Sequence, residues 1–90
     1  MEISFDPVKR ALTLADRGLD FADAAKVFDG PVFEFEDDRT VYPEPRIITY
    51  GLLGERLVAV IWTETTMGRR VISMRKANDR EYAKYRGRLA

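Results

Sequence analysis

The chain has 90 residues, 46% of them hydrophobic, with five phenylalanines, four tyrosines and one tryptophan. That is enough for one small core and too little for two, and it excludes a disordered chain. There is no cysteine and no histidine, which excludes disulfides, thiolate or imidazole metal sites and histidine acid–base chemistry, and makes the cytosol the expected compartment. Formal charge cancels to zero but unevenly: up to Pro45 five basic residues face eleven acidic ones, and from Arg46 onward ten basic residues face four acidic ones. A basic half is the footprint expected for a polyanion partner, or else the two halves neutralise one another in the fold. No apolar run reaches the ~20 residues of a bilayer span, and the first residues lack the basic start and apolar core of a signal peptide.

In chain order, Ile3-Ser4-Phe5 suits only a short edge strand. Asp6-Pro7 starts a helix as N-cap and first helical residue; Val8, Ala11, Leu12 and Ala15 keep helical spacing and Gly18 suits the left-handed end. Lys9 and Arg10 stand in its first turn, against the helix dipole. Asp20, with Asp23 three residues on, caps a second helix over residues 21–28, ended by Asp29-Gly30-Pro31. Residues 31–36 alternate, Phe33 and Phe35 on one side and Glu34 and Glu36 on the other, as a half-exposed strand does. A polar loop stiffened by Pro43 and Pro45 leads to a third strand over residues 46–53.

The most hydrophobic segment, residues 57–63, reads as a central strand holding Trp62 in the core. Glu64-Thr65-Thr66-Met67-Gly68 is short enough to make a hairpin between it and a further strand. The run after that loop, Arg69-Arg70-Val71-Ile72-Ser73-Met74-Arg75-Lys76-Ala77, is strand-like yet cationic. Arginine is rarely buried unpaired, so these guanidiniums are held for an anion or for internal carboxylates. Pairing symmetric about the loop sets Glu64 opposite Arg69 and places Val60 and Val58 opposite Ser73 and Arg75, with carboxylate and guanidiniums on one face. Asn78 and Glu81 form a capping box for a last helix with Tyr82, Tyr85 and Leu89 on one stripe. Tyr42, Tyr50, Tyr82 and Tyr85, rimmed by arginines, have the composition of an interface centre.

Several of these stretches carry a family likeness. Phe5-Asp6-Pro7-Val8-Lys9 resembles the opening of BrnT-type toxins of bacterial toxin–antitoxin pairs, as do Gly18-Leu19-Asp20-Phe21-Ala22-Asp23-Ala24 and Val27-Phe28-Asp29-Gly30-Pro31. Arg46-Ile47-Ile48-Thr49-Tyr50-Gly51 is similar to the family's Arg-x-x-x-Ile-Gly element except at Tyr50, Thr63-Glu64 to its Thr-Glu step, and residues 70–77 with Glu81 and Tyr85 to its closing signature. The resemblance spans the whole chain as a single domain, residues 1–90, and implies a RelE-like α+β fold: two N-terminal helices, a four- or five-stranded mostly antiparallel sheet and a C-terminal helix. It implies a ribosome-independent endoribonuclease acting on RNA, inhibited by a cognate ribbon-helix-helix antitoxin, with operator DNA reached only through that antitoxin and no membrane partner. Where the family usually carries Lys-His-Gly, this chain has Asp16-Arg17-Gly18, so Arg17 keeps the charge but not the titration.

Cleaving RNA with its own 2′-hydroxyl requires removal of that proton, stabilisation of the phosphorane and protonation of the leaving oxygen. Without histidine, a carboxylate, lysine or tyrosine must move the protons, while arginine forks onto the phosphate but is a poor proton donor. On sequence, Glu64 is the candidate base and Arg70 and Arg75 the phosphate clamps, with Lys9, Arg17 and Arg46 behind them and no cofactor or metal required. Strict alternation sets Arg70 and Arg75 on opposite faces, so a shared phosphate needs a bulge or a strand end. The competing readings are a cross-strand Glu64–Arg69 ion pair of ~0.2–1 kcal/mol, a non-catalytic antitoxin-binding co-repressor, and a plain RNA-binding module.

Overall fold

The computed structural model describes residues 2–39 and 41–89. Strand β1 (Ile3–Ser4) leads into helix α1 (Pro7–Arg17), a 3-10 turn (Phe21–Asp23) and helix α2 (Ala24–Asp29). Strands β2 (Val32–Glu36), β3 (Ile47–Leu53), β4 (Arg56–Thr65) and β5 (Gly68–Lys76) come next, then helix α3 (Asp79–Tyr85) and a closing 3-10 turn (Arg86–Arg88). The five strands form one sheet in the order β1-β5-β4-β3-β2, antiparallel except for the parallel β1–β5 pair. This is the α+β arrangement expected, with a mixed sheet. No helix among the described residues is long and apolar enough to cross a membrane.

Local chemistry sets the helix ends. The Asp6 carboxylate accepts from Val8 N at 2.8 Å, Pro7 opens α1, and Gly18 closes it at φ 69° with its N–H donating to Leu14 O. The capping box of α3 is complete: Asn78 Oδ1 accepts from Glu81 N and Glu81 Oε1 accepts from Asn78 N. The second helix differs from expectation, because residues 21–23 wind as a 3-10 turn before α2 begins at Ala24. Asp20 there accepts from Ala22 N and from two nitrogens of Arg10, tying α1 to the turn; that guanidinium holds the Asp20 carboxyl down at about 2.

Each face of the sheet has its own core. On one, Val58, Val60, Trp62, Val71 and Met74 pack against Leu19, Phe21, Ala24 and Val27 from the N-terminal segment. On the other, Ile48, Tyr50, Leu57 and Ala59 are covered by Tyr85 and Leu89. Trp62 sits in the first core as expected, its Nε1 donating to Thr49 Oγ1 at 2.8 Å, and that hydroxyl donates to Glu34. Where α2 crosses β3, a Cβ on Gly51 would lie 2.7 Å from Val27 Cγ1 and 3.3 Å from Val32 Cγ1. Val27 is fully buried and cannot retreat. Gly51→Ala is therefore expected to cost about 1–3 kcal/mol by overpacking, read as a lower denaturation midpoint with an unchanged m-value.

The β4–β5 hairpin corrects the symmetric register. Glu64 does pair with Arg69, and Thr65 with Gly68, so the turn itself is only Thr66-Met67. Beyond it Trp62 pairs with Val71 but Ile61 pairs with Ser73, leaving Ile72 as the extra residue of a bulge. Val60 consequently opposes Met74, and Ala59 opposes Arg75. Without the extra residue Arg75 would project among Val58, Val60 and Ala24, which are all fully buried, and Met74 would take the other face. A one-residue slip exchanges every side chain between faces, and burying an unpaired guanidinium costs far more than a local kink.

Candidate functional site

β1 covers only the first part of β5's outer edge, pairing Ile3 with Arg69 and Ser4 with Arg70. The chain then turns into α1, which lies along the remainder of that edge, where Arg17 Nη1 donates to the Met74 carbonyl at 3.0 Å. Between α1 and β5 runs an open groove of about 460 Å³ lined by Lys9, Thr13, Asp16, Arg17, Ile72 and Ser73. It continues into a smaller hollow of about 210 Å³ walled by Asp6, Lys9, Glu44, Arg46, Thr63 and Arg70. Lys9 and Ile72 belong to both. Four of the six sequence candidates, Lys9, Arg17, Arg46 and Arg70, thus line these two adjoining hollows, which together make up a channel.

Arg46 is held in a particular way. Its guanidinium lies over the Tyr42 ring, 4.1 Å from the centroid, while its Nε is buried and has no hydrogen-bond partner among the described residues. A buried donor left unpaired costs free energy, so this group is poised for an acceptor supplied from outside. Next to it Thr63 pairs with Arg70 across the strands, its hydroxyl donating to Pro45 O at 2.7 Å and so fixing the loop that carries Glu44. The carboxylates of Asp6 and Glu44 stand on the same hollow. Neither stands out as a site residue on sequence. Asp6 reads as a cap, which it is, and Glu44 reads as loop, although two flanking prolines are the mark of a side chain held in place.

The remaining candidates lie elsewhere. Glu64 is exposed at the hairpin end, on the Trp62 and Arg69 face of the sheet and so opposite to Arg70. Arg69 does not pair with it; its guanidinium stacks on the rings of Phe28 and Trp62 at 4.2 and 4.5 Å. Glu64 and Arg69 share a face as symmetric pairing predicts, but Arg75 does not join them, so the expected set of one carboxylate and two guanidiniums is not formed. The bulge does place Arg75 on the same face as Arg70. They are aligned with Ala59 and Thr63, however, and four strand residues separate those by about 13 Å. Arg75 is also engaged: its two terminal nitrogens donate to Glu81 at 2.7 and 2.8 Å, and Tyr50 donates its hydroxyl to Glu81 at 2.6 Å. The Arg75 guanidinium pulls the Glu81 carboxyl down to about 2, while burial and the neighbouring carboxylate push the Tyr50 phenol up to about 12.

A protein-family model described as "Ribonuclease toxin, BrnT, of type II toxin-antitoxin system" matches residues 5–81. The chain belongs to the BrnT family. Membership makes it a ribonuclease toxin of a type II pair, with RNA as substrate and an antitoxin as partner. No curated protein matches the chain. The matched span takes in every residue of this BrnT chain's cationic channel, from Asp6 to Ser73.

Proposed function

We propose that the channel between α1 and β5 is the ribonuclease site of this toxin, and that it cleaves RNA by attack of a 2′-hydroxyl on the adjacent phosphate without a metal ion. The observation that carries this reading is the convergence of Lys9, Arg46 and Arg70 with Glu44 on one hollow where the Arg46 Nε is buried and unpaired. Arg46 and Arg70 fork onto the non-bridging phosphate oxygens, where charge grows in the transition state. Glu44 accepts the 2′-hydroxyl proton, the 2′-oxygen bonds to phosphorus, the bond to the 5′-oxygen breaks, and the Lys9 ammonium returns a proton to that oxygen. The products are a 2′,3′-cyclic phosphate and a 5′-hydroxyl. Arg17 and Ser73 extend the channel for the neighbouring nucleotide. Glu64 and Arg75 have no part in this scheme, since one stands on the opposite face and the other is taken by Glu81.

In this reading the fold is RelE-like, with helices packed on an antiparallel sheet and a C-terminal helix, and the antitoxin is of the ribbon-helix-helix type. The test is single-stranded RNA incubated with purified toxin in excess EDTA, with analysis of the fragment ends. Cleavage leaving cyclic phosphate ends is the expected result. Intact RNA, combined with retained antitoxin binding, would establish the co-repressor reading instead.

A further inference from the structure

The tyrosines that composition marks as an interface centre do not form one: Tyr50 is buried, Tyr85 stacks on it at 4.4 Å, Tyr42 lies beneath Arg46, and Tyr82 alone is exposed. Three large exposed aliphatic side chains, Val8, Leu12 and Leu14, lie on α1, while Val41 and Met67 stand singly on a loop and a turn. None of the residues of α1 is buried, and Val8 and Leu12 are 66% and 64% exposed. With the exposed Ala11 and Ala15 they make one stripe at helical spacing along the bank of the cationic channel. We propose that this stripe is where the antitoxin docks, through an amphipathic helix whose carboxylates reach over the adjoining channel to Lys9 and Arg17. This rests on the toxin reading above and adds the surface and the chemistry of the inhibitor.

Each feature of the surface selects that occupant. An apolar stripe on a helix accepts the ridge of another helix. A strand has no place here, because β1 and Arg17 occupy the outer edge of β5. Aliphatic side chains offer no plane for RNA bases to stack on. A second copy meeting the stripe across a two-fold axis would set Lys9 of one α1 near Asp16 of the other, and sedimentation separates that occupant from the antitoxin. The antitoxin of a type II pair is the partner that family membership supplies: its apolar face covers Val8 and Leu12 while its carboxylates meet Lys9 and compete with the exposed Asp16, 3.9 Å away, for Arg17, masking the nuclease site.

Val8→Gln combined with Ala15→Gln tests this. Both positions are exposed and neither lines the channel, and glutamine is a good helix former, so helicity, melting temperature and RNA cleavage should match wild type. Affinity for its purified cognate antitoxin, measured by calorimetry, should fall about tenfold or more. Wild-type affinity in the double variant would overturn the proposal. So would a wild-type dimer in sedimentation that the substitutions convert to monomers while antitoxin affinity holds, since the stripe would then belong to a second copy. Failure of wild-type toxin to cleave RNA bears on the catalytic reading alone, because the affinity is read without cleavage.

Discussion

Arg46→Ala should lower kcat/KM on single-stranded RNA by roughly 10²-fold or more, the loss seen when one preorganised transition-state donor is removed, with little loss of stability. The two halves of that expectation come from the same observation. In the free toxin the Arg46 Nε is buried without an acceptor, which costs stability, and the main compensating contact is the stack on Tyr42. Such a stack contributes about 0.5–1 kcal/mol. Removing the side chain therefore removes a penalty along with a favourable contact. Arg46→Lys keeps the charge but loses the fork and the planar stack, so it should recover only part of the rate. Arg70→Ala, at an exposed position on the same hollow, should lose activity comparably. Glu64→Gln, on the opposite face, should leave activity at wild-type level. Steady-state cleavage paired with thermal denaturation checks all four, and wild-type rates in both Arg46→Ala and Arg70→Ala would remove the channel from the chemistry.

Glu81→Ala should be the most destabilising of the changes considered, by about 2–4 kcal/mol. No residue of α3 is buried. The helix is held by Glu81, which accepts from Arg75, from Tyr50 and from Asn78 N, and by Tyr85 stacked on Tyr50 and Phe33 at 4.4 and 5.3 Å. Alanine removes the N-cap partner and leaves a half-buried guanidinium and a buried phenol without their acceptor. The pH dependence has its origin in the same bonds. The Glu81 carboxyl is lowered in the folded state from its ordinary 4.5 to about 2, so its contribution is fully present above 4.5 and is lost as the pH falls toward 2. The difference in stability between wild type and Glu81→Ala should therefore be constant from neutrality to about pH 5 and shrink below that. Asp20 and Asp37 also titrate near 2 in the folded protein, held down by Arg10 and Arg39, and lie outside this difference because both chains retain them. Urea denaturation of both proteins at pH 7 and pH 3 would check it.

What the amino-acid sequence determined by itself is the order of the elements and the capped ends of the first and last helices. Asp6-Pro7 with Gly18, and Asn78 with Glu81, act through contacts within a few residues, so cap chemistry decides them before any packing does. The β4–β5 hairpin is settled in the same way, because its connection is too short for any other pairing. The register within that hairpin was decided by the tertiary structure. Counting by twos cannot register the extra residue at Ile72; that depended on Met74 rather than Arg75 meeting the fully buried Val58, Val60 and Ala24. The channel is likewise a product of long-range topology. Lys9, Arg46 and Arg70 come from three separate parts of the chain, and they meet because β1 docks parallel to β5 and carries α1 along the rest of its edge. Sequence could show that cations were present in excess. Which of them stay unpaired was set by where the carboxylates fold: Glu81 comes to Arg75 and satisfies it, and among the described residues none bonds the Nε of Arg46.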